Sequence, residues 1–148
     1  MSMFKITEDA IKVDALYDDV LKDRHGAIVT FAGVVRDHSG DKNTQYLEYE
    51  AYAPMAEKKM AQIGAEAGDK WGVEDIAILH RIGRLEIGEI SVLIAVASPH
   101  RLEAIQSCHY AIDRLKEIVP IWKKEVGEDG EYWVEGPTIA SEKDQNDP

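Results

Sequence analysis

At 148 residues, with 45% hydrophobic and 30% charged residues, the chain has the size of one domain and enough apolar material for a core, which excludes wholesale disorder. Its formal net charge of −11 argues against nucleic acid as a partner, because nucleic-acid binders carry a basic footprint. The longest apolar run, Ile90 to Ala97 with Ser91 inside it, falls far short of the ~20 residues that cross a bilayer. No membrane association is expected, and the opening Met1-Ser2-Met3-Phe4-Lys5 lacks the apolar stretch of a signal peptide.

In chain order, Val13 to Asp23 reads as a short helix with Val13, Leu16, Tyr17 and Val20 on one face. Ala27 to Arg36 is rich in β-branched residues and apolar on both alternating faces, the pattern of a central strand. His38 to Asn43 is a polar loop. Gln45 to Tyr52 then alternates, Leu47, Tyr49 and Ala51 against Glu48 and Glu50, and predicts a half-exposed strand. Pro54 opens a helix to about Lys70, whose apolar positions Ala56, Met60, Ile63 and Ala67 follow helical spacing.

Asp75 to Arg84 and Glu89 to Ala97 predict two strands joined around Gly83 to Gly88. Ser98-Pro99 reads as a helix start, a hydroxyl cap followed by proline in the first turn. The stripe Leu102, Ile105, Cys108, Ile112, Leu115 and Val119 is expected to face the core until Pro120 ends that helix. Ile121 to Lys124 and Tyr132 to Glu135 predict short extended segments around a Gly127–Gly130 turn. The order implies an α+β fold on a mainly antiparallel or mixed sheet covered by helices, with one domain over 1–140 and a polar tail over 141–148.

Charge is unevenly spread. From Glu125 to Pro148 eight acids face Lys143 alone, whereas Arg101 to Lys124 holds Arg101, Arg114, Lys116, Lys123 and Lys124 against Glu103, Asp113 and Glu117. A local basic patch inside an acidic protein suits a small anionic ligand.

Most standard motifs are absent: no Gly-rich phosphate loop, GxSxG, CxxC or HExxH occurs, and His25, His38, His80, His100 and His109 lack metal-ligand spacing. Neither a metal nor a cofactor is expected. His80 shares a strand face with Ile76, Ile78 and Ile82, which predicts a packed core histidine. Cys108, on an apolar helix stripe, predicts an inert thiol, and a single cysteine suits a reducing cytoplasm. His100 and Arg101 fall in a first helical turn, where free N–H groups favour an anion; a phosphate seat and a pair of merely exposed side chains both fit. Arg36 ends a strand, as a surface arginine or a ligand-presenting one. Lys116 and Lys123 straddle Pro120, either as solvated lysines or as two amines brought to one pocket.

Six blocks in sequence carry a family resemblance: Val29-Thr30-Phe31-Ala32-Gly33-Val34-Val35-Arg36, His80-Arg81-Ile82-Gly83, Ser98-Pro99-His100-Arg101, Asp113-Arg114-Leu115-Lys116, Pro120-Ile121-Trp122-Lys123-Lys124-Glu125 and Trp133-Val134-Glu135. Together, from about Ala27 to Glu135, they resemble the large, catalytic subunit family of molybdopterin synthase. The resemblance implies an α/β-hammerhead fold and a cytoplasmic homodimer within a heterotetramer. It also implies a small ubiquitin-like partner whose C-terminal Gly-Gly thiocarboxylate gives sulfur to cyclic pyranopterin monophosphate, forming the molybdopterin dithiolene. Lys116 and Lys123 match the family's catalytic lysines. Val34, Val35, Arg36, His100, Arg101, Lys124 and Glu125 match substrate-binding positions. Two departures stand out: Ile121 where an aromatic is common, and Gly136-Pro137 where some members carry an arginine. A non-catalytic adaptor for a ubiquitin-like protein is the alternative, and an unrelated acid/base enzyme on a phosphorylated metabolite a further one. Arg101 and Lys116 lie fifteen residues apart on one helix, ~22 Å at about 1.5 Å per residue, so His100 and Arg101 are expected to reach the pocket of a neighbouring subunit.

Overall fold

The structure, a computed structural model, describes residues 3–40 and 42–134, so Asp41, Glu135 and the 141–148 tail lie outside it. Its frame is a mixed sheet built from β1 (Met3–Thr7), β2 (Ala27–Val34), β6 (Asp75–Arg81) and β8 (Ile90–Ser98), in the order β1-β6-β8-β2. Only β1 and β6 run parallel. β8 is buried along almost its whole length because helices cover both faces. Val92, Ile94 and Val96 meet α2 (Ala53–Trp71) and α3 (Arg101–Ile118), while Leu93, Ala95 and Ala97 meet Leu16 and Val20 around α1 (Tyr17–Val20). Burial on both faces explains the unbroken apolar run.

A second, wholly antiparallel sheet has the order β10-β9-β5-β7, from β5 (Tyr46–Ala51), β7 (Gly83–Glu86), β9 (Ile121–Gly127) and β10 (Gly130–Val134). A small core of Val35, Leu47 and Leu85, with Tyr49 against it, lies on its inner face. A two-stranded ribbon, β3 (His38–Ser39) with β4 (Lys42–Asn43), stands where a polar loop was expected.

The helix α2 matches expectation: Ala56, Met60, Ile63 and Ala67 are its buried residues, and Gly72 closes it at φ 70° with its N–H on the Gly68 carbonyl. Four other readings need correction. The first helix is one turn, and its core contacts are Leu16 and Val20; Val13 and Tyr17 point outward. β1 was not anticipated, because its partner in the ladder lies more than seventy residues along the chain. The stretch 75–84 is not one strand: at Gly83, with φ 93°, the chain leaves the first sheet and enters the second as β7, burying Leu85 there.

The fourth concerns α3. β8 continues through Ser98, which pairs with Ala27, so the helix is capped by His100 and begins at Arg101. Ser98 Oγ donates to the His100 carbonyl and orders the connection. The buried face is Ala104, Ser107, Cys108, Ala111 and Leu115, whereas Leu102 and Ile105 are 57% and 49% exposed. Small residues let the helix sit close to the sheet and turn its larger aliphatics outward.

A charged latch joins α2 to α3. Arg114 donates two hydrogen bonds to Glu66, at 2.9 and 3.2 Å, and Tyr110 donates a third at 2.7 Å. Arg114 foremost holds the Glu66 carboxyl at about 2, below its ordinary 4.5. The folded chain therefore binds fewer protons, and the latch contributes fully above pH 4.5 and is lost as pH falls toward 2. Glu66→Ala should cost about 1–2 kcal/mol in urea unfolding at pH 7, allowing for partial exposure, and the gap from the parent should close in acid.

Candidate active site

Two sets of cations occupy opposite ends of the main sheet. β8 runs out to Ser98 and α3 runs back over it, so Lys116 in the last helical turn returns to the end where β8 begins. β2 reaches that same end, because Val34 pairs with Ile90. There the ladder carries a bulge: Ser91 is the extra residue on β8, and its hydroxyl donates to the Gly33 carbonyl at 3.2 Å. Beyond it Val34 faces outward and Val35 is buried against Leu47 and Leu85. Hydrogen bonds from Val35 N–H to Glu89 O and from Gly88 N–H to Val35 O pin this segment. Arg36 follows, exposed.

The second sheet brings Lys123 to the same region. Pro120 turns the chain out of α3, and the register of β9 on β5 sets Lys123 opposite Tyr49 and Glu125 opposite Leu47. Directly opposed residues share a face, so Lys123 and Glu125 line the inner side. The Lys123 side chain is only 17% exposed, with Nζ 3.9 Å from Glu125 Oε1. Glu125 is buried, and its Oε2 has no hydrogen-bond partner among the described residues. A desolvated carboxylate favours a cation or a donor beside it.

Alternation sends Lys124 to the other face of β9. Its amine meets Glu48 at 3.0 Å and Glu131 at 3.7 Å over the Trp133 ring, and the Glu48 bond raises its pKa. Lys124 is thus apart from the Lys123–Glu125 pair that it borders in sequence. His100 and Arg101 are exposed at the far end of α3, ~22 Å from Lys116 by helical rise.

Pattern alone did not single out Tyr49, yet its ring packs edge-on against His80 at 5.2 Å between centroids. His80 is the packed core histidine expected: 4% exposed, its Nδ1–H donating to the Arg81 carbonyl. Burial drives its pKa from 6.5 down to about 4. Cys108 is likewise buried, and its thiol is pushed up to about 11. No group of His, Cys, Asp and Glu among the described residues could hold a metal ion, and no helix there is long and apolar enough to cross a membrane.

An NMR titration should find His80 neutral, with its proton on Nδ1, from pH 8 to about 5. Since the unfolded ring takes up a proton near 6.5 and the folded one near 4, this group withdraws stability as pH falls between those values. A His80 signal titrating above pH 6 would contradict the burial.

Comparisons agree with this architecture. The family model described as "MoaE protein" matches residues 6–118. The molybdopterin synthase catalytic subunit of Halalkalibacterium halodurans is 53% identical over 131 residues, covering 88% of this chain and 84% of that one. The subunit of the same name from Bacillus subtilis is 53% identical over 134 residues, covering 90% and 85%. The crystal structure of molybdopterin synthase from Staphylococcus aureus matches with a TM-score of 0.86 at 51% identity, over 90% of this chain and 98% of that one. By sequence over nearly its whole length and by fold, the chain belongs to the MoaE protein family, that of the molybdopterin synthase catalytic subunits.

Proposed function

We propose that this chain transfers sulfur from the C-terminal thiocarboxylate of a small ubiquitin-like subunit to cyclic pyranopterin monophosphate, twice, to build the molybdopterin dithiolene. The observation that carries the reading is the largely enclosed Lys123 amine beside the buried Glu125 carboxylate, at the same end of the sheet as Lys116 and Arg36. Sulfur arrives on the partner, so the chain itself needs no reactive thiol, and a buried, weakly acidic Cys108 fits. An ammonium at Lys116 or Lys123 holds the incoming carboxyl terminus, stabilises a tetrahedral intermediate at its carbonyl, or moves a proton at the pterin. Arg36 contributes a guanidinium for the phosphate, with exposed Val34 flanking the approach and buried Val35 anchoring the segment that presents it. Lys124, on the opposite face, acts by holding β5, β9 and β10 together through Glu48 and Glu131.

His100 and Arg101 complete the pocket from a second copy of the chain. On a helical wheel Arg101, Ile105, Ile112 and Lys116 share the flank of α3 away from α2, with Arg101 at one end and Lys116 at the other. β2, an edge strand whose Val34 is exposed, borders the same side of the fold. A twofold that sets two such flanks antiparallel buries Ile105 and brings Arg101 of each copy beside Lys116 of the other. The assembly works in the cytoplasm as a heterotetramer, one small subunit at each end of the dimer; the lone free thiol suits that compartment.

Reconstitution with cyclic pyranopterin monophosphate and thiocarboxylated small subunit tests both claims by the yield of dithiolene product. Lys116→Ala and Lys123→Ala should each lose on the order of a hundredfold in rate while remaining folded. Arg101→Ala should also be slow. Mixed and re-equilibrated with Lys116→Ala, it should recover about a quarter of parental activity, because half the dimers then hold one intact pocket. Full activity of Lys116→Ala ends the catalytic reading, and no recovery in the mixture ends the shared pocket.

A further inference from the structure

Far from the two lysines, a carboxylate is buried with no part assigned to it. Asp75 opens β6 with its side chain wholly out of water. Two cations and a histidine from one loop converge on it: Lys22 Nζ at 2.7 Å, Arg24 at 3.4 Å and His25 Nε2 at 2.6 Å, burial and the neighbouring Arg24 and Lys22 lowering the pKa of the ring. Arg24 also reaches Glu74 at 2.7 Å. The His25 ring is only 3% exposed, and its Nδ1 has no hydrogen-bond partner among the described residues. Enclosing a carboxylate forfeits hydration that the pairs must offset, and apolar packing often serves stability as well. A cluster of this kind is better suited to fixing a geometry than to adding stability.

What it fixes follows from the next residue. Gly26 N–H donates to the Ser98 carbonyl at 3.1 Å, and a methyl group added at Gly26 would lie 2.6 Å from the Pro99 carbonyl oxygen. The loop that Asp75 gathers is therefore pressed against Ser98-Pro99, and Ser98 Oγ in turn donates to the His100 carbonyl. One continuous path runs from Asp75 through His25 and Gly26 to the cap and first residue of α3.

We propose that Asp75, through His25 and Gly26, is a positioning residue that holds His100 and Arg101 in the orientation in which they serve the pocket of the partner copy. The inference rests on the shared pocket proposed above. Asp75 touches no substrate. It sets the backbone at Ser98-Pro99 so that His100 and Arg101, at the head of α3, are already ordered when a phosphorylated pterin arrives, which spares that cost at binding. Lys22 and Arg24, about half exposed beyond the carboxylate, add positive potential at the same end.

Subunit mixing tests this, because it sorts residues by the pocket they serve. Asp75→Asn should raise KM for cyclic pyranopterin monophosphate about tenfold or more and leave KM for the thiocarboxylated small subunit unchanged. Mixed with Lys116→Ala, Asp75→Asn should regain activity; mixed with Arg101→Ala it should regain none. Should Asp75→Asn fail to fold, His25→Ala is put through the same mixtures, and His25→Gln, which keeps a donor near the Nε2 position, should recover most of what His25→Ala loses. Normal kinetics, recovery with Arg101→Ala, recovery with neither variant, or a KM effect on the small subunit would each overturn the proposal. Mixing Lys116→Ala with Arg101→Ala is the control: if that pair fails to recover, the shared pocket falls and this inference with it. If it recovers while Asp75→Asn does not group with Arg101, the inference falls alone.

Discussion

The return of α3 over β8 is the constraint from which the site follows. A strand buried on both faces leaves its helix one way to lie, back along the sheet with its small residues inward. A helix of eighteen residues spans ~27 Å at about 1.5 Å each, so its two ends cannot attend to one small ligand. Lys116 is delivered to the end where the second sheet supplies Lys123 and Glu125; Arg101 is delivered to the other. Within one copy, the fold that places Lys116 and Lys123 at one end of the sheet also separates them from Arg101.

The second sheet enters that frame at few points. Gly83 carries the chain directly from β6 into β7, and Val35 leaves the end of β2 to fill the small core under Leu47 and Leu85. His80 and Tyr49 touch across the same seam. Lys123 therefore stands on a strand held between β5 and β10 of its own sheet, and Val35, His80 and Gly83 tie that sheet to the first. A site at such a junction combines a firm scaffold with side chains that one sheet alone could not converge.

Legibility in the sequence tracked how directly a pattern reports its surroundings. α2 packs on one side only, so its stripe at Ala56, Met60, Ile63 and Ala67 could be read residue by residue. α3 misled because Leu102 and Ile105 look like core, whereas Ala104, Ser107 and Ala111 are what the sheet accepts. Trp122-Lys123-Lys124-Glu125 has no polar alternation to tell inside from outside, and only the ladder with β5 separates Lys123 from Lys124. Spacing about Pro120 offered Lys123 only as a candidate, and the expected roles of both amines came from family likeness. Asp75 and His25 gave no signal, since a charge at the head of a strand reads as solvated until the loop that covers it is seen.

The bulge at Ser91 bears on which changes of chain length this fold can absorb. Because faces alternate with period two, one residue inserted or deleted between Gly33 and Arg36 would exchange inside for outside. The valine now filling the lower core would be driven into water and the guanidinium into the apolar seam. A few residues later the ribbon tip turns at Gly40 with open space around it, and added length there would simply extend into solvent. Insertions and deletions among relatives of this chain are accordingly expected to gather at the ribbon and to spare the segment that presents the arginine.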